Sequence, residues 1–358
     1  MLVIRREGFT VTVEEPTVYV DNQARRRSGH MTHGLAALDG KRFIDFNSNC
    51  SAERAGGHST YGYVEYRTSE DAGKTYSEPS ILPLSWEMFL DGIYSLSVEK
   101  VVATGTGRLV AVCLKNSAAG EELCCEPWQE PFVIISDDFG KTWSSPRGFT
   151  PYKGRPYAAC YQSGTIFIMH NCNEHFLGSS PEHLYRLYVS TDNGETFSER
   201  AVIPFPDTTR RAYSALLFAP DGVLHAYAYN EADEAHTDHA VSRDEGKTWE
   251  VLPPVVTAKG LRNPQMAVID GVFIAHGRAG DAKGLILYTS LDGCTWDEGT
   301  KIVEVPYPAG AYYSNNVVLE DEKGKFLLMQ YSHPYTMDSP YWNARVNVMH
   351  AVLRVEKH

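Results

Sequence analysis

Four arginines, Arg27, Arg155, Arg211 and Arg262, stand at or just before strand-like stretches in a chain with 33 basic and 45 acidic residues. A guanidinium binds a carboxylate through two parallel hydrogen bonds, so four of them placed alike point to a cationic funnel for a carboxylated ligand. The alternative for each is a strand cap or a pairing with a neighbouring acid. Close to the first come His30, His33 and His58, imidazoles whose ordinary pKa suits proton transfer near neutrality; packed or hydrogen-bonded histidines are the competing reading. Asn230-Glu-Ala-Asp-Glu234 adds Glu231 and Asp233, either site carboxylates or a solvated loop. His170-Asn-Cys-Asn-Glu-His175 offers nitrogen and sulfur donors, but the spacing matches no established zinc pattern. Neither a metal nor an organic cofactor is expected.

The elements that would position these groups announce themselves as a repeat. Ser69-Glu-Asp-Ala-Gly-Lys-Thr-Tyr76 recurs as Ser136-Asp-Asp-Phe-Gly-Lys-Thr-Trp143, Ser190-Thr-Asp-Asn-Gly-Glu-Thr-Phe197 and Ser242-Arg-Asp-Glu-Gly-Lys-Thr-Trp249, and one residue shorter as Ser290-Leu-Asp-Gly-Cys-Thr-Trp296. In each, an Asp can accept hydrogen bonds from the following amides, Gly supplies a positive φ and an aromatic packs beside the turn. Such boxes, about 50 to 70 residues apart and preceded by β-branched and aromatic runs, are hairpin turns of a blade repeat. Two hairpins make a four-stranded blade, and the chain length accommodates six, an all-β, six-bladed β-propeller. The sixth blade has no box. Its outer strand is expected near Ala344–Val355, and a strand from residues 10–20 is expected to help close the ring.

Blade geometry places the start of each inner strand and the loop between the second and third strands at one end, with the boxes at the other. Reading that first end round the ring gives Arg27, His30, His33, Glu53 and His58; Asp91 and Tyr94; Arg155 and Tyr157; Arg211, Tyr213 and Glu231; Arg262, Gln265 and Arg278; and Tyr312 and Tyr313.

With these boxes, the chain resembles the sialidase superfamily from about residue 30 onward. Gly310-Ala-Tyr-Tyr-Ser-Asn-Asn-Val-Val-Leu319 is similar to the family's nucleophile strand, and Tyr313 aligns with the nucleophile. A neutral phenol suits that place, because a carboxylate would be repelled by an anionic sugar. Other family positions differ. His30-Met-Thr-His33 replaces the first-blade arginine motif, with Arg27 nearby; the acid/base region holds His58, with Glu53 the nearest upstream carboxylate; Arg210-Arg-Ala-Tyr-Ser214 stands where a Glu normally serves the tyrosine; and Arg278 or Lys283 stands in for the last arginine. The resemblance implies a glycoside hydrolase releasing a terminal acidic sugar, with Tyr313 as nucleophile or clamp, His58 or Glu53 as acid/base, Glu231 as a substitute carboxylate, and Arg27, Arg211, Arg262 and Arg278 as carboxylate binders. Arg155, His30, His33, Tyr213, Gln265 and Tyr312 complete the expected substrate-binding set. Two further readings are a lyase or isomerase on a uronic-acid-type sugar, using His and Tyr, and a carbohydrate-binding propeller without catalysis.

Composition agrees with one propeller domain over residues 1–358: 29 Gly and 19 Pro are spread without a linker, beside 21 Tyr. A formal charge of −12 argues against nucleic acid or an anionic membrane as partner and leaves a small, carboxylated carbohydrate. Seven cysteines without framework spacing, and an apolar start too short for a secretory signal, lead to a cytoplasmic expectation.

Overall fold

The computed structural model describes the chain except residues 31–33, 52–61, 118–129, 173–183, 207–210, 309–311 and 336–344, and gives only the backbone at 117, 211 and 212. Six antiparallel sheets follow one another round an axis. Blade one runs Arg27–Ser28 with Leu35–Ala37 innermost, then Phe43–Ser51, Gly62–Ser69 and Ser80–Ile81. Blade two runs Tyr94–Ala103, Leu109–Ser117, Glu130–Ser136 and Arg147–Gly148; blade three Arg155–Gln162, Thr165–Cys172, Leu184–Ser190 and Ser198–Ile203. Blade four runs Arg211–Phe218, Leu224–Asn230, His236–Ser242 and Glu250–Val256; blade five Leu261–Ile269, Val272–Ala279, Gly284–Ser290 and Thr300–Glu304. Both faces of each blade are covered by a neighbour, which is why middle strands such as Thr165-Ile-Phe-Ile-Met-His-Asn-Cys172 are buried at every position.

Blade six corrects one expectation. The late strand, Asn347–Lys357, is third from the axis, after Ser314–Asp321 and Gly324–His333; outside it lie Phe9–Val13 and then Leu2–Arg6 from the start of the chain. Thr17–Val20 pairs with the other end of the same strand. Closure therefore uses the first strands to cover the edge of the last. At the next seam, Asp45 of blade one is fully buried, 2.9 Å from His350 Nε2 and hydrogen-bonded by Gln330. A second departure is the helix Pro83–Asp91, which the strand-dominated reading does not anticipate. Pro83 opens it without needing an N–H partner, and Gly92 stops it at φ 73°, donating to Met88 O.

The boxes form as their chemistry requires. In the second, Asp138 accepts from the Thr142 amide (2.8 Å) and hydroxyl (2.7 Å), while Ser136 Oγ takes the Gly140 amide. Each full-length box carries two successive positive-φ residues, Phe139 and Gly140 for instance; the short fifth box has only Gly293. These glycines also lock blades together. An added Cβ at Gly140 would meet Ile44, at Gly194 Val110, at Gly246 Leu187 and at Gly293 Tyr227, in each case a residue of the preceding blade.

Candidate functional site

At the end opposite the boxes, three inner strands are broken by the same irregularity. In blade three the pairing Arg155↔Asn171 resumes at Ala158↔Met169; in blade four Arg211↔Asn230 resumes at Ser214↔Ala228; in blade five Arg262↔Arg278 resumes at Gln265↔His276. Blade two has its own extra residue, Glu99, between Val98↔Cys113 and Lys100↔Val112. An extra residue interrupts the two-residue alternation of side chains and re-aims those beside it. Glu99, Arg155 with Tyr157, Tyr213 and Arg262 are the residues so re-aimed. Blade six reaches the same place through Tyr312, whose φ of 44° lies in the left-handed region that bulky side chains rarely adopt.

The centre is a pair of phenols. Tyr213 Oη and Tyr313 Oη lie 3.0 Å apart, with both residues buried. Tyr157 packs edge-on against Tyr213, ring centres 4.7 Å apart, and the Arg155 guanidinium lies 5.4 Å from both ring centres. Glu99 holds that guanidinium in a bidentate pair (2.8 and 3.2 Å), the side chains being only 2% and 3% exposed. Burial alone would lower the Arg155 pKa; Glu99, Tyr213 and Tyr313 together outweigh it, so the net shift is upward. Burial also drives Tyr313 well above its ordinary value, and the nearby Tyr213 adds to that effect while Arg155 opposes it. The phenol is therefore a neutral hydroxyl.

Toward the opening stand Arg262 and Arg278. Arg262, 23% exposed, lies over the Tyr229 ring at 5.3 Å and faces Glu231 and Glu234 at 3.5 and 3.6 Å; the Tyr229 hydroxyl donates to Glu234 (2.6 Å). Burial, and then the Arg262 charge, lower the Arg278 pKa, while Tyr313 and Tyr213 act in the opposite direction. His30, fully buried, presents its ring to the edge of Tyr313 at 5.4 Å and is hydrogen-bonded through Nδ1 to Tyr335 Oη (2.9 Å).

Tyr313, Tyr213, Arg155, Arg262, Arg278, Glu231 and His30 thus gather at one end of the axis. Arg27 does not join them: its guanidinium is taken by Asn49 Oδ1 (2.5 Å) and Asn49 O (2.9 Å) and lies over Tyr63, on the second and third strands of its own blade. Tyr312 turns away from its neighbour into the apolar core, fully buried, against His333 and Tyr335. Gln265 lies beneath the phenols, bonded to Tyr157 and Lys100. His33, Glu53 and His58 lie outside the described residues, as does the side chain of Arg211. Glu99, Tyr229 and Glu234 are additions. The available signal for the first was Glu99-Lys100 set between Val98 and Val101 in an otherwise uncharged inner strand, since a charge buried there requires a partner. Among the described residues no group of three or more His, Cys, Asp or Glu is arranged to hold a metal ion.

Residues 134–145 match the family described as BNR/Asp-box repeat, and no curated protein matches the sequence. Among solved structures the chain is similar to a protein of unknown function from Dyadobacter fermentans, with TM-score 0.71 at 14% identity, covering 97% of this chain and 99% of that one. It is similar also to a Hadza microbial sialidase, at TM-score 0.70 and 14% identity, covering 96% and 68%. A third likeness is to the intramolecular trans-sialidase of Ruminococcus gnavus, solved with oseltamivir carboxylate, at TM-score 0.62 and 13% identity, covering 94% and 96%. The fold is that of the sialidase-type six-bladed propeller.

Proposed function

We propose that this sialidase-type propeller is a glycoside hydrolase that releases a terminal carboxylated sugar at the end of the axis opposite its boxes. The observation that carries the reading is the Tyr213–Tyr313 hydroxyl pair with Arg155, Arg262 and Arg278 around it. Arg262 and Arg278, nearer the opening, receive the carboxylate; Tyr313, kept neutral by burial, meets the adjacent anomeric carbon without repelling that charge. As Tyr313 Oη bonds to the anomeric carbon and the glycosidic bond breaks, the phenol proton passes by way of Tyr213 Oη, 3.0 Å away, to the departing aglycone oxygen, which leaves as the neutral alcohol; water then replaces Tyr313 on the sugar and returns a proton to its oxygen. Arg155 beneath the phenols stabilises the Tyr313 oxygen when the sugar departs.

A second reading, elimination or epimerisation at the carbon beside the carboxylate, is favoured by one feature. The partner of Tyr313 is another phenol where a glycosidase tyrosine would use a carboxylate, and arginines that neutralise a substrate carboxylate also acidify the neighbouring C–H.

Incubation with aryl glycosides of acidic sugars separates the two. Release of the aryl alcohol is expected; an unsaturated product absorbing in the ultraviolet would establish the second reading instead, and binding without turnover would leave a lectin-like propeller. Tyr313→Phe is expected to cost about 10²–10⁴-fold in kcat, and undiminished turnover would remove it from the chemistry.

A further inference from the structure

The axial channel is crossed halfway by a strut. Lys100, on the inner strand of blade two, sends its ammonium to Gln265 Oε1 of blade five and to Asn315 Oδ1 of blade six at 2.7 Å. Gln265 also interacts with the Tyr157 hydroxyl, which places the strut next to the phenols. Beyond it, toward the boxes, lies a cavity of about 450 Å³. Its walls include Ala103, Ala159, Val268 and Val318 as well as the polar Gln162 and Asn316, and neither the phenol pair nor Arg155, Arg262 or Arg278 lines it.

Among the described lining residues Lys100 is the sole charged one. Its ammonium has three hydrogens, and two go to neutral amide oxygens, which satisfy donors without compensating charge. The carboxylate of the adjacent Glu99 is spent on Arg155. Burial accordingly lowers the Lys100 pKa to about 7, with Cys160 and Glu99 only partly opposing it. A desolvated cation at the inner end of a chamber walled partly by alanine and valine side chains is stabilised by an anion, and those walls favour one that brings its own apolar surface.

We propose that this chamber is a second binding site, taking a small monocarboxylate with a short alkyl chain, its carboxylate on Lys100 Nζ and its chain along the alanine and valine walls. The volume lies within the range of small-ligand pockets, and the site is separate from the arginine-lined end. A strongly hydrated inorganic anion would use the charge and leave the walls unfilled.

Calorimetric titration of the whole protein with butanoate, acetate and chloride tests this. One saturable site is expected, with butanoate tighter than acetate by on the order of tenfold for its two further methylenes, and chloride weakest. Lys100→Met should abolish it. So should Ala159→Phe, which fills the chamber while leaving the strut in place and so guards against a folding defect in the first variant. Arg262→Gln/Arg278→Gln should bind butanoate as before. Absence of binding, equal affinity for all three anions, retention in both chamber variants, or loss in the arginine variant would overturn the proposal.

Discussion

Glu99 and Arg155 show what a single buried pair commits the site to. Their charges are nearly sealed from water, so removing one leaves the other uncompensated, at about 3–5 kcal/mol, whereas removing both costs much less. Glu99→Gln should therefore lose about that much stability in urea unfolding, and Glu99→Gln/Arg155→Met should recover most of it; equal losses in the single and double variants would show that the charge is not what matters. Arg155 and Arg262 were legible in the sequence because they stand at strand starts in an acidic chain, and Arg278 and Tyr313 because their places resemble those of a known family. Glu99 was not, for its partner lies 56 residues away on another blade, and which acid meets which base depends on the stagger of neighbouring sheets. Arg27 failed for the same reason: its position was read correctly, but the competing acceptors on Asn49 could not be seen.

At the scale of elements, the boxes were the most legible feature, since each is a closed local circuit of Ser, Asp, Gly and Thr. Hydrogen bonds from Thr142 and Thr248 pull Asp138 and Asp244 down to about 2, which means that these turns lose support only as the pH falls from about 4 toward 2. What the motif conceals is its second role against the preceding blade. Gly246 has φ +81° and its missing Cβ would lie 2.2 Å from Leu187 Cδ2, whereas Gly222, at φ +84°, faces open space. Gly222→Ala should cost about 1–2 kcal/mol for the backbone alone; Gly246→Ala should cost about 2–4 kcal/mol, the excess being overpacking between blades. Equal shifts in denaturant midpoint would show that the box is a turn and nothing more. The strand irregularities that aim Glu99, Arg155, Tyr213 and Arg262 were illegible, because an extra residue in a strand leaves its composition unchanged.

At the scale of the molecule, Lys100 ties blade two to blades five and six across the axis. Its pKa of about 7 in the fold is below the ordinary 10.5, so between those values the unfolded chain holds the proton that the folded chain has released. Stability from this residue is therefore lowest below pH 7 and rises as the pH climbs toward 10.5. Unfolding measured at intervals over pH 6–10 should show that rise in the parent protein and a flatter profile in Lys100→Met; superimposable profiles would mean that the amine titrates normally. Six blades follow from counting repeats, but the strut joins side chains far apart in the chain, beyond the reach of any periodic pattern.

The seam in blade six also sets an order of events. Phe9–Val13 pairs along the far half of the last strand, from Phe9↔Lys357 to Val13↔Leu353. During synthesis these early strands leave the ribosome well before their partner, which emerges after every other blade has been made. Throughout translation the nascent ring must remain open, with an unpaired β-edge waiting on nearly the whole chain, which makes closure the last step and, as a pairing between distant segments, a slow one.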